Sequence, residues 1–298
     1  MGRAPIVYPS FVLRQLGRSK IWLNPKYTDP KFVALLNDAD ELFALPSCEI
    51  IKDQRKIKVA RVVLEIDGRV QALYVKRYNA FALRQRVGSM FTPSGGVRAL
   101  RGAAILNGNG IATATPVAAI EERLQGMVDR SFFLSEEISG GMTVDAYWLS
   151  LLLPVPGRDG IKRRRAFVDA LGSLLSLLHR QGIYHNDLKD ANILAVPQAG
   201  GASSQLYLLD LEGVRRYRVL SDSRRLKNLV QLNRTLGGYL AGPQKMRLLR
   251  AYLGTAYSDR RRRRDWIDRV VAESKRLDGA KSRQRARATA ALPNQATK

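Results

Sequence analysis

The hydrophobic and polar positions divide the chain into a strand-rich first part and a helix-rich second part. In the first part, short stretches rich in Val and Ile alternate with polar residues or run apolar, which is typical of β-strands. These stretches predict strands at 48–56, 57–66, 70–78, 116–123 and 131–138. The dipeptide Asp67-Gly68 predicts a tight hairpin turn between the second strand and the third. A small antiparallel sheet is therefore expected.

One helix is predicted within this sheet region. Val97, Leu100, Ala104 and Ile105 recur at the spacing of a single helix face, and 107–110 contain the Asn and Gly residues that end helices. The helix contains no Glu.

The second part of the chain is predicted to be mostly helical. One helix face is formed by Phe167, Leu171, Leu174, Leu175 and Leu178. Gly182 follows where that helix should end. Amphipathic patterns predict further helices at 223–240, 245–254 and 260–277. Residues 281–298 are polar, basic and aperiodic, so a disordered tail is expected there.

Together these elements predict an α+β fold with a small antiparallel-sheet lobe at 46–138 and a mostly helical lobe at 139–280. Residues 1–45 precede the sheet as an N-terminal extension, in which 32–45 predict a short helix.

The charge of the chain is strongly positive. Fifty Lys and Arg against 26 Asp and Glu give a net charge of +24. Such a surface attracts polyanions, namely nucleic acid, an anionic membrane or a phosphorylated glycolipid. The basic residues cluster at 163–165, 215–218 and 260–264, and solvated helix faces would account for each cluster equally well. Because no nucleic-acid motif and no aromatic–basic interleaving is found, specific nucleic-acid binding is not expected.

The cysteine content and the absence of targeting signals further limit which classes of protein the chain can belong to. Cys48 is the single cysteine, so an internal disulfide and a multi-Cys metal site are excluded. No apolar run reaches the roughly 18 residues of a membrane span. The N-terminus lacks a signal-peptide pattern, and Ile6 stands where myristoylation requires Ser or Thr. A cytosolic protein is expected.

The segment IYHNDLKDANIL at 183–194 carries the candidate chemistry. His185, Asp187, Leu188 and Asn192 match the H-x-D-L-x-x-x-N catalytic loop of the protein-kinase fold. In that loop the Asp accepts or orients the proton of the attacking hydroxyl, and the Asn holds magnesium. The alternative interpretation is that Asp187 is an ordinary turn residue that caps a helix.

Other kinase elements follow in the expected order. Lys76 lies on an apolar strand like the ATP-binding lysine of V-A-I-K, with a snorkelling strand lysine as the alternative. Asp210 follows an apolar strand as the metal-binding Asp does. Glu136 and Ile138 mark the hinge, where backbone groups contact adenine. Lys189 either neutralises the transferring phosphoryl group or faces solvent.

Several kinase elements are missing. The turn KDQRKIK at 52–58 replaces G-x-G-x-x-G, and its basic side chains either offset the absent glycines or face solvent. No acidic partner for Lys76 is evident. Asn186 replaces the Arg of H-R-D, and no A-P-E follows Asp210, so a small-molecule, sugar or lipid-linked acceptor is favoured over a peptide.

The chain resembles the bacterial lipopolysaccharide kinase family, which phosphorylates heptose or Kdo sugars of the inner core, over about residues 48–278. The resemblance is carried by VKRYNA, RALRGAAILNGNGIATATPVAAIEER, RSFFLSEEI, HNDLKDANIL, LLDLEGVR and RAYLG. Ala112 departs from it, since a proline is expected there. The resemblance implies a two-lobed protein-kinase-like fold, Asp187 as base, Asn192 and Asp210 as magnesium ligands, and Lys76 as the ATP lysine.

The function expected from these observations is transfer of the γ-phosphate of ATP, with Mg²⁺, to a sugar hydroxyl of an anionic lipid-linked glycan. The arginine-rich helices would dock on phosphate groups and an anionic membrane surface, which makes the protein peripheral on the inner face of the cytoplasmic membrane. Two alternatives stay open. One is a Ser/Thr protein kinase or another small-molecule kinase, and the other is a pseudokinase that acts as a binding module.

Overall fold

The structure is a computed structural model that describes residues 11–79, 92–198 and 203–290. Its residues form two compact units. The first comprises the described residues of Met1–Gly141 and Tyr207–Arg216, and the second those of Met142–Leu206 and Tyr217–Lys298. A late segment, Tyr207–Arg216, therefore belongs to the first unit, which no sequence pattern indicated.

An antiparallel sheet forms the first unit. Its seven strands are β1 (Val12–Leu16), β2 (Ser19–Leu23), β3 (Glu49–Gln54), β4 (Ile57–Ile66), β5 (Arg69–Asn79), β6 (Pro116–Leu124) and β7 (Met127–Glu136). Their order in the sheet is β1-β2-β6-β7-β5-β4-β3. β2 pairs with β6, so the described part of the N-terminal extension adds a hairpin to the sheet.

The central hairpin forms as the sequence predicts. β4 and β5 pair along their full length, from Ile57↔Tyr78 to Ile66↔Arg69. Asp67 and Gly68 both have left-handed backbones, with φ of 51° and 71°, as a two-residue turn between twisted strands requires. One face of the hairpin is buried under helix α1 (Pro30–Leu35) and the 3₁₀ helix Leu36–Phe43. This packing explains why the apolar positions of β4 alternate.

Helix α2 (Gly95–Asn107) begins after Ser94, whose side chain caps it. Its buried face differs from the predicted one, because Ala104 is exposed while Gly102 and Ala103 are buried. A Cβ at Gly102 would lie 2.1 Å from the carbonyl oxygen of Leu211. The helix therefore turns a glycine toward the Asp210 segment, and glycine gives no hydrophobic signal in a sequence.

The second unit is mainly helical. Its helices are α3 (Val144–Tyr147), α4 (Gly157–Arg180), α5 (Asp222–Arg234), α6 (Gly242–Leu253) and α7 (Arg260–Ala290). The remaining short strands along the chain are β8 (Met142–Thr143), β9 (Ile183–Tyr184), β10 (Ile193–Pro197), β11 (Ser204–Leu208) and β12 (Arg215–Arg216). β8 pairs with β10. Helix α7 continues to Ala290, into the segment 281–298 for which the sequence predicts a disordered tail, and residues 291–298 lie outside the described residues.

The core of the second unit centres on α4. Phe167, Leu171, Leu175 and Leu178 are buried, which confirms the predicted helix face except for the half-buried Leu174. Within the described part of the chain, no helix is long and apolar enough to cross a bilayer.

Candidate active site

The catalytic-loop motif forms a cluster around Asp187 in the second unit. The loop follows α4, which ends before Gly182, a residue with a left-handed backbone (φ 71°). Asp187 Oδ2 lies 2.6 Å from Lys189 Nζ and accepts a hydrogen bond of 3.1 Å from Asn192 Nδ2. Asn192 Nδ2 also donates to the carbonyl oxygen of Asp187 at 2.7 Å. Three of the residues singled out in the sequence thus lie together.

The Asp187 carboxylate is exposed to solvent. Its side chain is 42% exposed and that of Lys189 is 40% exposed. The carboxylate is therefore open to solvent on one side and has an ammonium group beside it. His185, by contrast, is fully buried, and its Nδ1 accepts from the backbone N–H of Asp187 at 3.3 Å. This contact fixes the backbone that carries the carboxylate.

Helix α5 holds the loop through Asn228, which is fully buried. Asn228 Nδ2 donates to the carbonyl oxygen of His185 at 2.5 Å, and Asn228 Oδ1 accepts from the N–H of His185 at 3.4 Å. Asn228 Oδ1 also lies 3.2 Å from Nε2 of His179 on α4. One amide side chain therefore ties the end of α4 to the loop.

Two further residues of α5 and its C-terminal end continue this contact. Gln231 Nε2 donates to the carbonyl oxygen of Asn186 at 2.7 Å, while its Oε1 accepts from the N–H of Leu188 at 3.2 Å. Thr235 Oγ1 accepts from the N–H of Asp190 at 3.2 Å. We call Asn228, Gln231 and Thr235 the loop brace. The sequence analysis missed them, although their spacing places all three on one helix face.

His179 is neutral because of its surroundings. Since Asn228 Oδ1 can only accept, Nε2 of His179 carries the proton, and Nδ1 accepts from the Tyr252 hydroxyl at 2.9 Å. Burial lowers the pKa of His179 to about 4, and the charge of Arg225 acts in the same direction. Burial likewise raises the pKa of Tyr252 to about 12. His179 and Tyr252 are therefore both neutral in the interior of the second unit.

In the first unit, Lys76 contacts Asp210. Lys76 lies on β5 between Val59 of β4 and Phe133 of β7, and its Nζ is 2.5 Å from Asp210 Oδ1. Asp210 has a left-handed backbone, with φ 58° and ψ 56°. A non-glycine residue is held in this region only when its surroundings fix it, and such strain is frequent at functional sites. The acidic partner that the sequence left unidentified for Lys76 is thus Asp210.

A second ion pair joins α2 to the Asp210 segment. Arg98 of α2 lies 3.6 Å from Glu212, so the helix supplies the cation and the segment supplies the carboxylate. Burial raises the pKa of Glu212, while the charge of Lys76 lowers it. Glu212 also escaped the sequence analysis, since it stands where D-F-G has its glycine.

Glu136 and Ile138, the two residues predicted to mark the hinge, both make hydrogen bonds within the first unit. Glu136 Oε1 accepts a 2.5 Å hydrogen bond from the Tyr27 hydroxyl, and its N–H donates to the carbonyl oxygen of Thr115. Burial and this contact raise the pKa of Tyr27. The carbonyl oxygen of Ile138 accepts from the N–H of Gly141 at 3.1 Å. Glu136 is thus the last residue of β7, and Ile138 follows two positions later.

The turn between β3 and β4 is held by neighbouring side chains. Asn79 at the end of β5 hydrogen-bonds the carbonyl oxygens of Arg55 and Lys56, through its Nδ2 and its N–H respectively. Lys58 lies 3.4 Å from Asp53 and 5.1 Å from the ring centroid of Phe43. Lys58 therefore has protein partners in this structure.

Two side chains named in the sequence analysis, those of Asn192 and Asp210, carry oxygen donors suited to magnesium. No group of three or more His, Cys, Asp and Glu side chains that could hold a metal occurs among the described residues. Asp210 and Asn192 nevertheless offer carboxylate and amide oxygens, which are the donors Mg²⁺ prefers. Because both Asn192 Nδ2 contacts point to Asp187, its amide oxygen lies on the opposite side of the side chain. The chemistry of both residues fits the ion.

Comparisons with known proteins indicate a family and a fold for the chain. Residues 51–252 match the family described as the lipopolysaccharide kinase (Kdo/WaaP) family. Among solved structures, the chain is similar to WaaP in complex with acyl carrier protein, with 20% identity and a TM-score of 0.59, over 86% of this chain and 98% of that chain. No curated protein matched. The structural likeness, with a sheet unit followed by a helical unit, confirms the predicted α+β, protein-kinase-like fold.

Proposed function

Because the chain belongs to the lipopolysaccharide kinase (Kdo/WaaP) family, we propose that it transfers the γ-phosphate of ATP to a sugar hydroxyl of a lipid-linked glycan, the lipopolysaccharide inner core. Members of this family are lipopolysaccharide kinases, so the chain is a phosphotransferase. The resemblance noted from the sequence is confirmed.

The observation that carries the proposal is the Asp187 cluster. Asp187 takes the proton from the acceptor hydroxyl, whose oxygen attacks the γ-phosphorus. The bond from that phosphorus to the bridging oxygen breaks, and ADP leaves with the electron pair. Lys189 Nζ, which lies 2.6 Å from the Asp187 carboxylate, neutralises charge on the transferring phosphoryl group. The loop brace keeps the carboxylate in position.

Nucleotide binding is assigned to other residues. Lys76 contacts the α- and β-phosphates, and adenine is contacted at Glu136 and Ile138 by backbone groups other than the Glu136 N–H and the Ile138 carbonyl oxygen, which are bonded to Thr115 and Gly141. Asn192 and Asp210 would hold magnesium, which neutralises phosphate charge during transfer. The Glu136 side chain, already bonded to Tyr27, leaves adenine to the backbone.

A glycan acceptor is supported by the segment after Asp210. The chain runs from the 3₁₀ turn Leu211–Gly213 to β12 and then into α5 at Asp222. This connection has no A-P-E element, from which protein kinases build part of their peptide-binding platform. The positive charge of the chain suits a phosphorylated glycolipid.

A transfer assay with parallel acceptors tests the proposal. The protein is incubated with γ-labelled ATP and Mg²⁺ together with dephosphorylated core glycolipid, the oligosaccharide released from that lipid, or a generic protein substrate. We expect label on the glycolipid and the oligosaccharide and none on the protein. Label on the protein alone would indicate a protein kinase, and ATP binding without label on any acceptor would indicate a binding module.

A further inference from the structure

A groove with basic side chains along its walls lies between α4 and α6 in the second unit. It is open on one side and has a volume of about 540 Å³. Its charged lining residues are Arg158, Lys162, Arg165 and Asp169 of α4 and Arg247 of α6. Small-molecule sites in proteins commonly have volumes of about 300–1,000 Å³. This groove, which we call the basic groove, is therefore large enough to hold a small polar ligand.

The two helices that form the basic groove are held together beside it. Arg247 Nη2 donates a 2.5 Å hydrogen bond to Asp169 Oδ2, which joins α6 to α4. About one turn further along α4, a Cβ at Gly172 would lie 2.6 Å from the carbonyl oxygen of Leu248. The two helices are thus in close contact just beyond Asp169. The walls of the groove are therefore positioned by the packing of two helices.

The three basic residues of α4 lie side by side. Arg158, Lys162 and Arg165 are four and three positions apart, which makes them neighbours on the helix surface, and all three are exposed. Like charges at this spacing destabilise a helix, and Arg158 lies in the first turn, where the helix dipole disfavours a cation. Helix stability therefore does not explain why these residues are basic, whereas a bound anion would offset their repulsion.

The basic groove contains more positive than negative charge. Asp169 is the one carboxylate among the described residues that line it, and it is already bound to Arg247. The other carboxylate of α4, Asp159, pairs with Arg163 at 2.7 Å. Four cations and one carboxylate leave the groove with a net charge of +3. The groove is therefore suited to a ligand that carries several negative charges.

We propose that the basic groove binds a sugar that carries two phosphomonoester groups. Each such group has a charge of about −1.5 to −2 at pH 7, so two of them balance the charge of the groove. Arg158 and Arg165 are about 10 Å apart along the helix axis, so each contacts a different phosphate. Guanidinium groups bind phosphate oxygens through two parallel hydrogen bonds. Ile161 and Ala166, which also line the groove, supply apolar surface for the C–H groups of the sugar ring.

Two other polyanions fit the basic groove less well. Sites for single-stranded nucleic acid commonly contain aromatic side chains on which bases stack, and the described residues that line the groove include no aromatic residue. An anionic bilayer presents a broad surface of many headgroups, whereas the groove is recessed between two helices and has the size of a small-molecule site. A discrete phosphorylated sugar therefore matches its shape better.

The basic groove is separate from the Asp187 cluster. About 22 Å of helix lies between Arg165 and Arg180, where α4 ends before the catalytic loop. The groove shares no residue with that cluster or with the loop brace. It is therefore a second binding site, and ligand binding there does not depend on the proposed function.

Isothermal titration calorimetry with the full-length protein tests the groove. The ligands are glucose 1,6-bisphosphate, glucose 6-phosphate and glucose, each titrated without nucleotide or magnesium. Hydrogen bonds to charged groups each contribute about tenfold or more to affinity. We therefore expect the bisphosphate to have a Kd at least about tenfold below that of the monophosphate, and glucose not to bind. In Arg158→Gln/Lys162→Gln/Arg165→Gln the Kd of the bisphosphate should rise at least about tenfold.

Two controls separate the groove from the general charge of the chain and from the proposed nucleotide site. Arg260→Gln/Arg261→Gln/Arg262→Gln removes the same charge from exposed positions of α7 that do not line the groove. Lys76→Met removes the cation that we assign to the nucleotide phosphates. We expect both controls to bind the bisphosphate within about twofold of the unaltered chain, because salt screens distant charges. Circular dichroism verifies that every variant is folded.

Three outcomes would overturn the inference. The first is an equal loss of binding in the two charge variants, and the second is an equal loss in Lys76→Met. The third is no binding of the bisphosphate to the unaltered chain; flotation on phosphatidylglycerol vesicles would then show whether the same residues bind a bilayer instead. Bisphosphate binding without phosphoryl transfer to any acceptor would contradict the proposed function and leave the groove supported, whereas transfer without bisphosphate binding would contradict the groove alone.

Discussion

Lys76 and Asp210 form an ion pair in which the lysine Nζ lies 2.5 Å from the aspartate Oδ1. In protein kinases the equivalent lysine pairs with a Glu of a helix, but the side chain that α2 contributes here is Arg98, bound to Glu212. The helix thus contributes a cation where protein kinases have a carboxylate. Lys76 is instead paired with Asp210, the carboxylate that we assign to magnesium. In the proposed mechanism, Lys76 therefore contacts both Asp210 and the nucleotide phosphates, and Asp210 contacts both Lys76 and the magnesium ion.

Replacing Lys76 by Met should weaken nucleotide binding. The substitution keeps the length and apolar stem of the side chain and removes the charge that contacts the phosphates. Hydrogen bonds to charged groups are worth about 1.5–3 kcal/mol, so the Kd for ATP should rise about tenfold or more. Isothermal titration calorimetry measures it. Lys58→Met is the control, since Lys58 on β4 is bound to Asp53; an equal rise in Kd in that variant would contradict the assignment of Lys76.

Asn228→Ala should loosen the catalytic loop. It leaves the backbone of His185 and the ring of His179 without their partner, and an unsatisfied buried polar group costs about 1–3 kcal/mol. We expect the free energy of unfolding to fall by about 3 kcal/mol and kcat to fall with it. Urea denaturation and steady-state kinetics measure the two effects.

The matched control for Asn228 is Asn233→Ala on the same helix. Asn233 Nδ2 makes one hydrogen bond, of 3.0 Å to Ser274, and does not belong to the loop brace. We expect it to lower stability by about 1 kcal/mol without changing kcat. A fall in kcat for both variants alike would mean that Asn228 acts only through stability.

Gly102→Ala should be destabilising although alanine favours helices. The new Cβ would lie 2.1 Å from the carbonyl oxygen of Leu211. Overpacking costs about 1–3 kcal/mol and more when backbone must move, which exceeds the gain of about 1 kcal/mol in helix propensity. Thermal unfolding should show a lower Tm, and displacement of Asp210 should lower kcat. A Cβ at Gly238 would have no neighbouring atom within 4 Å, so Gly238→Ala should leave the Tm and kcat unchanged.

His179 should make stability depend on pH. Burial lowers its folded pKa to about 4 from an ordinary 6.5, so the unfolded chain takes up a proton first as the pH falls. The contribution of His179 to the free energy of unfolding is fully present above about pH 6.5. About 3 kcal/mol of it is lost as the pH falls from about 6.5 to 4. Urea unfolding of the unaltered chain and of His179→Gln across this window should give curves that converge at low pH. Parallel curves would show that His179 does not titrate as described.

Local patterns allowed much of the fold to be predicted. Strand β4 was expected at 57–66 and is observed at Ile57–Ile66, because its alternation and the Asp67-Gly68 turn are properties of neighbouring residues. The hairpin of β1 and β2 was not predicted. Its second strand, β2, pairs with β6, almost one hundred residues later in the chain, and such pairing is not visible in a local pattern.

The residues of the candidate site likewise differ in whether a local sequence pattern could identify them. Asp187, Lys189 and Asn192 were identified because their spacing lies within one short loop, and the structure brings them together. Asn228 looks in the sequence like an ordinary polar position of an amphipathic helix. Its role depends on a tertiary contact with His185, 43 positions earlier. Glu212 was missed because its partner Arg98 lies more than one hundred positions earlier in the chain.

The most direct test of the central claim is the kcat of Asp187→Asn with the glycolipid acceptor. The substitution preserves shape and removes the general base, so kcat should fall by about a hundredfold to ten-thousandfold. The Kd for ATP should stay within about twofold. Asp190→Asn, which alters a carboxylate of the same loop that accepts from the N–H of Ala191, should retain activity. An Asp187→Asn variant with unchanged kcat would contradict the account.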